Sequence, residues 1–291
     1  FFIFTIGLFK KVVIADSFAI WATNGFDNSI SLTFIEAWIT SLSYTFQLYF
    51  DFSGYTDMAI GVALLFNIKL QSNFNSPYKS LDIQDFWRRW HITLSTFLKS
   101  YVYTPLGGNQ NGTINTYKNL LITFVLGGIW HGAGWNFIFW GLLNGFAIVV
   151  HRVWKKYNLS MNRIVAWLVT FNFINITWIF FRANEWNDSI KVLKGMIGAN
   201  GIILPLALSN KVNFLENIGI TFGNYLSSVE GDYLTKIWIV LGFVLIIFFK
   251  NSNEMLDSFK PKIPSLIFTF LVFYIAISSI TNVSEFLYFD F

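Results

Sequence analysis

The sequence contains no cysteine and few charged residues. The absence of cysteine excludes disulfides, thiolate-bound zinc, iron–sulfur clusters and cysteine nucleophiles. Charged residues make up 12% of the chain and hydrophobic residues 54%, whereas about 25% of the residues in a soluble domain are charged. A protein surface that faces water needs more charged residues than this chain contains, whereas a surface that faces lipid needs few. The composition therefore predicts a membrane protein and argues against a disordered chain or a nucleic-acid-binding domain.

Apolar runs occur along the whole chain, and a membrane-spanning helix needs about 20 apolar residues. Candidate spans cover residues 1–9, 37–50, 58–68, 119–150, 164–181, 237–249 and 263–284. The first is expected to end at Lys10 and Lys11, and the run 119–150 predicts either one long tilted helix or two broken ones. The alternating polarity of a transmembrane β-barrel is not found. We therefore predict an all-α, polytopic transmembrane helical fold, in which segment 195–208 is re-entrant or interfacial.

The chain begins with Phe1 inside an apolar run, without the pattern of a signal peptide. We therefore expect residues 1–291 to form a single membrane-embedded domain that is the later part of a longer protein. The net charge is +4, and the basic loops 152–163 and 250–262 are expected on the cytoplasmic side. Segment 183–235 is then expected on the opposite side.

No carboxylate side chain occurs between Asp85 and Glu185. The chemistry of this stretch therefore excludes paired-carboxylate catalysis and HExxH metal sites, and no metal is expected. Its excess of basic residues favours an anionic ligand, such as a phosphate-bearing donor or a lipid head group. The alternative is that these basic residues only reflect the usual enrichment of lysine and arginine in cytoplasmic loops. All three histidines lie in this stretch: His91, His131 and His151.

His131 is the leading candidate for catalysis, because an ionisable side chain at bilayer depth is costly. Read as one helix, the sequence places Gly127, Gly128 and Gly134 on the same face as His131. This spacing predicts a groove of bare backbone beside the imidazole, in which a substrate can lie. Imidazole is suited to accept a proton from a hydroxyl near neutral pH.

Trp130 and Trp135 are expected to wall this groove. Since no acid is nearby, Asn136, Asn144 or a backbone carbonyl is expected to orient the imidazole. The alternative is a GxxxG helix-packing motif beginning at Gly128, in which the histidine only hydrogen-bonds a neighbour. The residues alone do not decide between catalysis and packing.

His91 lies in segment 85–101, which reads as one amphipathic helix at the membrane interface. It stands at the border of the apolar stripe, so it either enters the protein or anchors the helix. His151 borders a basic loop and is given no role. Asp51 and Asp57 flank a Ser-Gly pair that favours a break between helices, and they are expected to cap the next helix or to pair with the basic region.

Five strings in this order resemble the membrane-bound O-acyltransferase family, in particular its bacterial alginate O-acetylation branch. They are YFDFSGYTDMAIG (49–61), DFWRRWHITLSTFL (85–98), PLGGN (105–109), GGIWHGAGWNFIFWGLLNG (127–145) and FLYFDF (286–291). The resemblance implies a multi-helix acyltransferase fold, with further spans before the equivalent of Phe1. It implies His131 as the family's catalytic histidine and His91 as the second motif histidine. Gln110 and Asn111 follow PLGGN where relatives usually have basic residues, which weakens an anion-binding role for this loop.

The resemblance also implies a function. We expect a multi-pass O-acetyltransferase of the bacterial inner (cytoplasmic) membrane that takes acetyl from acetyl-CoA and passes it across the membrane for O-acetylation of an exported polysaccharide. The implied partners are membrane lipid, a secreted or periplasmic acetyltransferase and the polysaccharide acceptor. Two other classes stay open, namely a transporter or flippase of a lipid-linked glycan and a scaffold for an exported enzyme. Alginate, cellulose and peptidoglycan stay open as acceptors.

Overall fold

The architecture comes from a computed structural model, which describes residues 1–280 and Leu287. The described part of the chain is mostly helical and also contains one small sheet. The end of the candidate span 263–284 lies outside the described residues, and so does the FLYFDF motif (286–291) apart from Leu287.

The N-terminal helical segment continues beyond the residues where the sequence predicted its end. Helix α1 (Phe2–Phe9) leads through a π-helical turn, Lys10–Ala15, into α2 (Asp16–Thr23). The prediction that Lys10 and Lys11 close a span is therefore wrong. Both lysines turn into the protein, and Lys11 is only 5% exposed, because each finds a carboxylate there.

Helix α3 (Phe34–Leu65) is continuous over 32 residues, so the predicted break at Ser53 and Gly54 is wrong. Its first turn is closed by a capping box between Thr33 and Glu36. A Cβ on Gly54 would lie 2.7 Å from the carbonyl oxygen of Gly7. Glycine is therefore needed at this position for the close approach of α1 and α3, and not for a turn.

Asp51 and Asp57 lie in the middle of α3 and pair with lysines of the N-terminal segment. Lys11 Nζ lies 2.5 Å from Asp51 Oδ1, and Lys10 Nζ lies 2.7 Å from Asp57 Oδ2. Ser252 accepts a hydrogen bond from Lys10 (2.6 Å) and donates one to Asp57. The two acids thus neither cap a helix nor pair with the basic region after Asp85. Buried ion pairs of this kind are the usual solution for charged residues inside a helix bundle.

The single helix predicted over 85–101 is broken. Helix α4 (Ile83–Arg89) ends before Trp90, and α5 (Ile92–Leu98) begins after His91. His91 has a left-handed backbone, with φ of +43°. The helical hydrogen bonding is replaced here by a bond from the Ile92 N–H to the carbonyl of Asn73, at 3.1 Å.

The long apolar run 119–150 forms two helices, one of the two alternatives predicted for it. They are α6 (Gly112–His131) and α7 (Trp135–Lys156). The two helices pack closely against each other along their length. Helix α8 (Arg163–Arg182) follows and matches the predicted span 164–181.

A two-stranded parallel sheet corrects the all-α prediction. Strand β1 (Ile202–Pro205) pairs with β2 (Ile220–Gly223), with Ile202 opposite Ile220. Segment 195–208 therefore comprises a helix end, a turn and a strand, and not a re-entrant piece. Successive β-branched isoleucines favour a strand, and proline is tolerated where a strand lies at an edge. Helices α9 (Trp186–Met196) and α10 (Ser209–Val212) flank β1 in the sequence.

Among the described residues, α7 and α8 are long and apolar enough to cross a membrane. Helices α11 (Tyr233–Phe248) and α13 (Ile263–Ser278) are shorter apolar helices, and α12 (Ser252–Asp257) lies between them. Large apolar side chains of α13, such as Phe270 and Leu271, are exposed. Such a surface is favourable in lipid and unfavourable in water.

Candidate active site

His131 is the last residue of α6, and the chain turns directly after it. A Cβ on Gly132 would lie 2.5 Å from the ring of Phe137, so only glycine fits at this turn. The turn holds the imidazole at the end of the helix, where it is buried and only 7% exposed.

Among the described residues, three aromatic rings are seen to contact the imidazole of His131. The ring of Trp140 is perpendicular to it at a centroid distance of 5.3 Å, and Phe181 (4.9 Å) and Trp130 (4.9 Å) pack in similar edge-to-face geometry. Trp140 and Phe181 are buried, whereas Trp130 is 59% exposed. Trp130 is therefore the one of these three rings that is exposed at the surface.

The predicted groove of bare backbone is not formed. A Cβ on Gly128 would lie 2.2 Å from the carbonyl oxygen of Phe137, so α7 fills that side. A side chain of α5 covers Gly127 at 3.2 Å. Gly134 is the residue before α7, because the helix ends at His131 and does not continue through it. These glycines lie at helix contacts and at the turn, which is the packing alternative that the sequence left open.

Trp135 does not wall the site as predicted. It is 79% exposed and makes no ring contact with His131 among the described residues. Of the two predicted wall residues, Trp130 contacts the imidazole and Trp135 does not, as far as the described residues show. The difference arises because the break after His131 moves Trp135 onto a separate helix.

Asn136 and Asn144 are buried on one face of α7, but their amides bond to backbone carbonyls. Asn136 Nδ2 donates to the carbonyl of Ala183 at 2.8 Å, which ties α7 to the end of α8. Asn144 Nδ2 donates to the carbonyl of Trp140 at 2.9 Å. Among the described residues, neither amide makes a hydrogen bond to the imidazole of His131. The prediction that these amides orient the imidazole is therefore not supported.

Two polar atoms on the face of α7 that includes Trp140, whose ring contacts His131, are buried without a hydrogen-bond partner among the described residues. They are the indole Nε1 of Trp140, a donor, and Oδ1 of Asn136, an acceptor. Buried polar atoms in proteins are nearly always paired with protein, water or ligand. These two residues are one helical turn apart on α7, so they present a donor and an acceptor on the same face.

His91 is held by the side chain of Asn73. Its Nδ1 lies 3.2 Å from Asn73 Oδ1, and the same oxygen accepts hydrogen bonds from the backbone N–H (3.2 Å) and the hydroxyl (2.6 Å) of Thr93. The ring of Phe52 on α3 packs perpendicular to the imidazole at 4.8 Å. Asn73 thus fixes both the imidazole and the first turn of α5.

These contacts define which nitrogen of His91 carries the proton. The N–H of Thr93 can only donate, so the Asn73 atom that faces it must be the carbonyl oxygen. That oxygen can only accept, so Nδ1 of His91 is the donor and Nε2 is the acceptor nitrogen. Burial lowers the pKa of His91 to about 4, and the imidazole is therefore neutral at neutral pH.

Buried aromatic residues connect the two histidines. We call the aromatic cluster the set Trp90, Trp140, Trp178 and Phe181. Trp90, next to His91 in the chain, packs on Trp178 at 5.0 Å, and Trp178 stacks on Trp140 at 5.9 Å. The two imidazoles lie near enough to interact electrostatically. His91 and His131, which are far apart in the sequence, are thus brought to one place, while His151 lies elsewhere and pairs with Asp82 at 3.4 Å.

Several residues of this site were not found by sequence reasoning. Asn73 lies in the irregular loop between α3 and α4, where no periodic pattern marks a contact residue. Trp178 and Phe181 lie in a span without charged residues between Arg163 and Arg182, where many large apolar side chains follow one another and none stands out. A usable signal existed for Trp140, because it is spaced by four residues from both Asn136 and Asn144 and so shares their helix face.

Comparison with known proteins gives a family for this arrangement. Residues 1–184 match the model of MBOAT, the membrane-bound O-acyltransferase family. The matched region contains both histidines and the whole aromatic cluster.

Individual relatives differ in the acceptor that their names state. The chain is 51% identical to the peptidoglycan O-acetyltransferase of Helicobacter pylori, over 100% of this chain and 56% of the relative. It is 45% identical to the probable alginate O-acetylase AlgI of Pseudomonas putida, over 66% of this chain and 39% of the relative. It is 33% identical to the teichoic acid D-alanyltransferase of Bacillus subtilis, over 50% of this chain and 40% of the relative.

The chain thus spans about half the length of these curated relatives, or less. The family model nevertheless covers more than half of the chain, including every residue that contacts His131 or His91 as described above. The chain belongs to the membrane-bound O-acyltransferase family.

Proposed function

We propose that this chain is the catalytic part of a membrane O-acetyltransferase that transfers acetyl groups to hydroxyl groups of a cell-envelope polysaccharide. The observation that carries the proposal is the convergence of His91 and His131 on one aromatic cluster beside an unpaired buried donor and acceptor. The names of the relatives, which include a peptidoglycan O-acetyltransferase and alginate O-acetylases, support acetyl transfer to a glycan.

In the proposed reaction His131 is the general base. It takes the proton of the acceptor hydroxyl while the oxygen attacks the carbonyl carbon of an acetyl thioester, for which acetyl-CoA is the proposed donor. The new C–O bond forms, the C–S bond breaks, and the leaving thiolate receives the proton back from the imidazolium of His131. Protons and electrons balance without a metal or a further reactant.

The neighbouring residues support this step. In the proposed step the N–H of Trp140 donates to the carbonyl oxygen as negative charge develops on it, and such donors act strongly where water is excluded. Asn136 Oδ1 is an acceptor for a substrate hydroxyl or amide. Nε2 of His91, the acceptor nitrogen, orients the acceptor hydroxyl or relays its proton. The substrate reaches the imidazole past Trp130, the exposed ring of the site.

We further propose peptidoglycan as the acceptor. The similarity to the peptidoglycan O-acetyltransferase extends over the whole chain, whereas that to the alginate O-acetylase of P. putida covers 66% of it. The proposed location is the bacterial cytoplasmic membrane, which the protein spans several times. The hydroxyl that attacks the thioester belongs either to a sugar or to a carrier group on a periplasmic or secreted acetyltransferase partner. In the second case the partner passes the acetyl group on to the polysaccharide.

Ester-linked acetate on isolated peptidoglycan tests the function in cells. In a strain that carries the full-length protein, His131→Ala should lower this acetate by about 10²-fold or more, because general-base catalysis contributes about 10²–10⁴-fold. The matched control His151→Gln removes a histidine outside the site and should leave it unchanged. Normal acetate in the His131→Ala strain, at normal protein level, would overturn the proposal. A flippase predicts instead that wild-type membranes transfer no label from radiolabelled acetyl-CoA.

A further inference from the structure

A second site lies at the opposite end of the α6–α7 hairpin. A cavity of about 440 Å³ opens between the start of α6 and the end of α7. Its lining includes Asn109, Gly112, Thr113, Thr116, Arg152 and Lys155. His131 stands at the other end of the 20-residue helix α6, about 30 Å away along the helix axis. The cavity is therefore separate from the site around His131.

The cavity carries uncompensated positive charge. Arg152 and Lys155 form no ion pair with a carboxylate among the described residues. The carboxylates of the neighbouring helix α4 are already engaged. Asp82 accepts a hydrogen bond from the backbone N–H of Asp85 and lies 3.4 Å from His151 Nε2, and Asp85 pairs with Arg89 at 2.9 Å. An anion in the cavity would thus meet two cations and no competing carboxylate in its lining.

The guanidinium of Arg152 uses only some of its hydrogen-bond donors among the described residues. Its Nη1 donates to Asn109 Oδ1 at 3.1 Å, and Tyr103 also donates to that oxygen. Its Nε is buried and has no hydrogen-bond acceptor among the described residues. A buried donor without an acceptor costs about 1–3 kcal/mol, so the geometry favours a ligand that supplies one. Arginine binds phosphate oxygens through several parallel hydrogen bonds.

The start of α6 adds further donors. Asn111, the residue before the helix, makes no side-chain cap hydrogen bond, so the N–H groups of the first turn are not capped by it. Gly112 and Thr113, in that first turn, line the cavity. A helix N-terminus with open N–H groups favours an anion. The loop before it, residues 105–111, contains no basic residue, and the cations come from α7 instead.

We propose that this cavity binds a phosphate group at the cytoplasmic face of the membrane. Two sources share this chemistry, namely the head group of an acidic phospholipid and the phosphates of a coenzyme A donor. The second source rests on the proposed acetyl transfer, and the first does not. With either source, the phosphate lies between the basic C-terminal end of α7 and the N-terminal end of α6.

Binding measured on the purified full-length protein in neutral detergent tests the proposal without any turnover. One arm adds phosphatidylglycerol and follows the thermal unfolding midpoint, and the other measures equilibrium binding of radiolabelled acetyl-CoA. The variants are Arg152→Gln, Lys155→Gln and the double variant. Lys156→Gln is the matched control, since Lys156 is exposed on the same helix and does not line the cavity.

We expect the double variant to weaken one of the two probes by about ten-fold or more, because charge-assisted hydrogen bonds contribute about 1.5–3 kcal/mol each. Lys156→Gln should behave as the wild type. Loss in the lipid arm alone identifies a head-group site, and loss in the acetyl-CoA arm identifies a donor site. If the folded double variant binds both probes like the wild type, or if the wild type binds neither, the proposal is wrong. Because both arms measure binding and not turnover, a failure of acetyl transfer is distinguishable from a failure of this site.

Discussion

At the scale of single residues, the chemistry depends on a few polar atoms in an aromatic environment. The indole N–H of Trp140 is a buried donor without a partner among the described residues, and it lies beside the imidazole of His131. Asn73 fixes the tautomer of His91 through one oxygen that accepts three hydrogen bonds. Neither role follows from residue type alone.

Replacing Trp140 by phenylalanine keeps an aromatic ring but removes the N–H. We expect kcat for acetyl transfer to fall by about 10²-fold, because one donor to a developing oxyanion contributes about 2.7–4 kcal/mol. KM should change little. Steady-state kinetics on the full-length protein measures the effect, with Trp186→Phe as a control at an indole outside the site. An unchanged kcat would remove Trp140 from the proposed reaction.

Asn73→Ala should also lower kcat more than KM, by about ten-fold, because it removes the hydrogen bond that holds Nδ1 of His91. Asn73→Asp keeps the acceptor oxygen and should restore much of the rate. Its carboxylate stabilises the protonated imidazole and raises the pKa of His91 from its low value. The acid limb of the pH–rate profile should therefore move to higher pH in Asn73→Asp. An acid limb that stays in place would show that Asn73 acts only on the fold.

At the scale of helices, hydrophobic length predicted α8, but for the run 119–150 it left one long helix and two broken helices open, and it did not predict how helices end. Ser53 and Gly54 have the residue types of a turn, yet they lie inside α3, because Gly54 packs against Gly7. Lysines usually close a span, but Lys10 and Lys11 are paired within the protein. The conformation at these positions depends on residues that are distant in the sequence, and a local sequence pattern contains no information about such contacts.

The same limit applies to the candidate site. The motif strings supplied His91 and His131, and the spacing of glycines predicted a groove that the turn after His131 abolishes. The break at Trp90 and His91 depends on Asn73, a loop residue. Contacts made through tertiary structure thus determined the site geometry, whereas the residue types supplied the candidates.

The Lys11–Asp51 ion pair joins the N-terminal helical segment to α3, and its removal should be costly. We expect Asp51→Leu to destabilise the protein by about 3–5 kcal/mol, because it leaves a buried ammonium without this partner. Lys11→Met combined with Asp51→Leu should recover much of that loss. Thermal unfolding in detergent measures the difference, and Lys69→Met is the control at an exposed lysine. A double variant as unstable as Asp51→Leu would contradict the ion-pair account.

At the scale of the whole molecule, the basic loops predict an orientation in the membrane. The chain has no cysteine, so single cysteines can be introduced as labels. Lys156→Cys, at the end of α7, should react with a membrane-impermeant maleimide only after the cytoplasmic membrane is permeabilised. Glu216→Cys, between α8 and α11, should react in intact spheroplasts. The reverse pattern would contradict the orientation, and equal labelling of both sites in intact spheroplasts would contradict a membrane crossing by α8.

The central claim is that the buried imidazole of His131 activates a hydroxyl for acetyl transfer. The most direct measurement is the initial rate of radiolabelled acetyl transfer from acetyl-CoA to peptidoglycan fragments, with full-length protein and its acetyltransferase partner in proteoliposomes. The account predicts that His131→Ala folds normally and lowers this rate by about 10²–10⁴-fold. A folded His131→Ala protein that transfers acetyl at a rate close to that of the wild type would contradict the account.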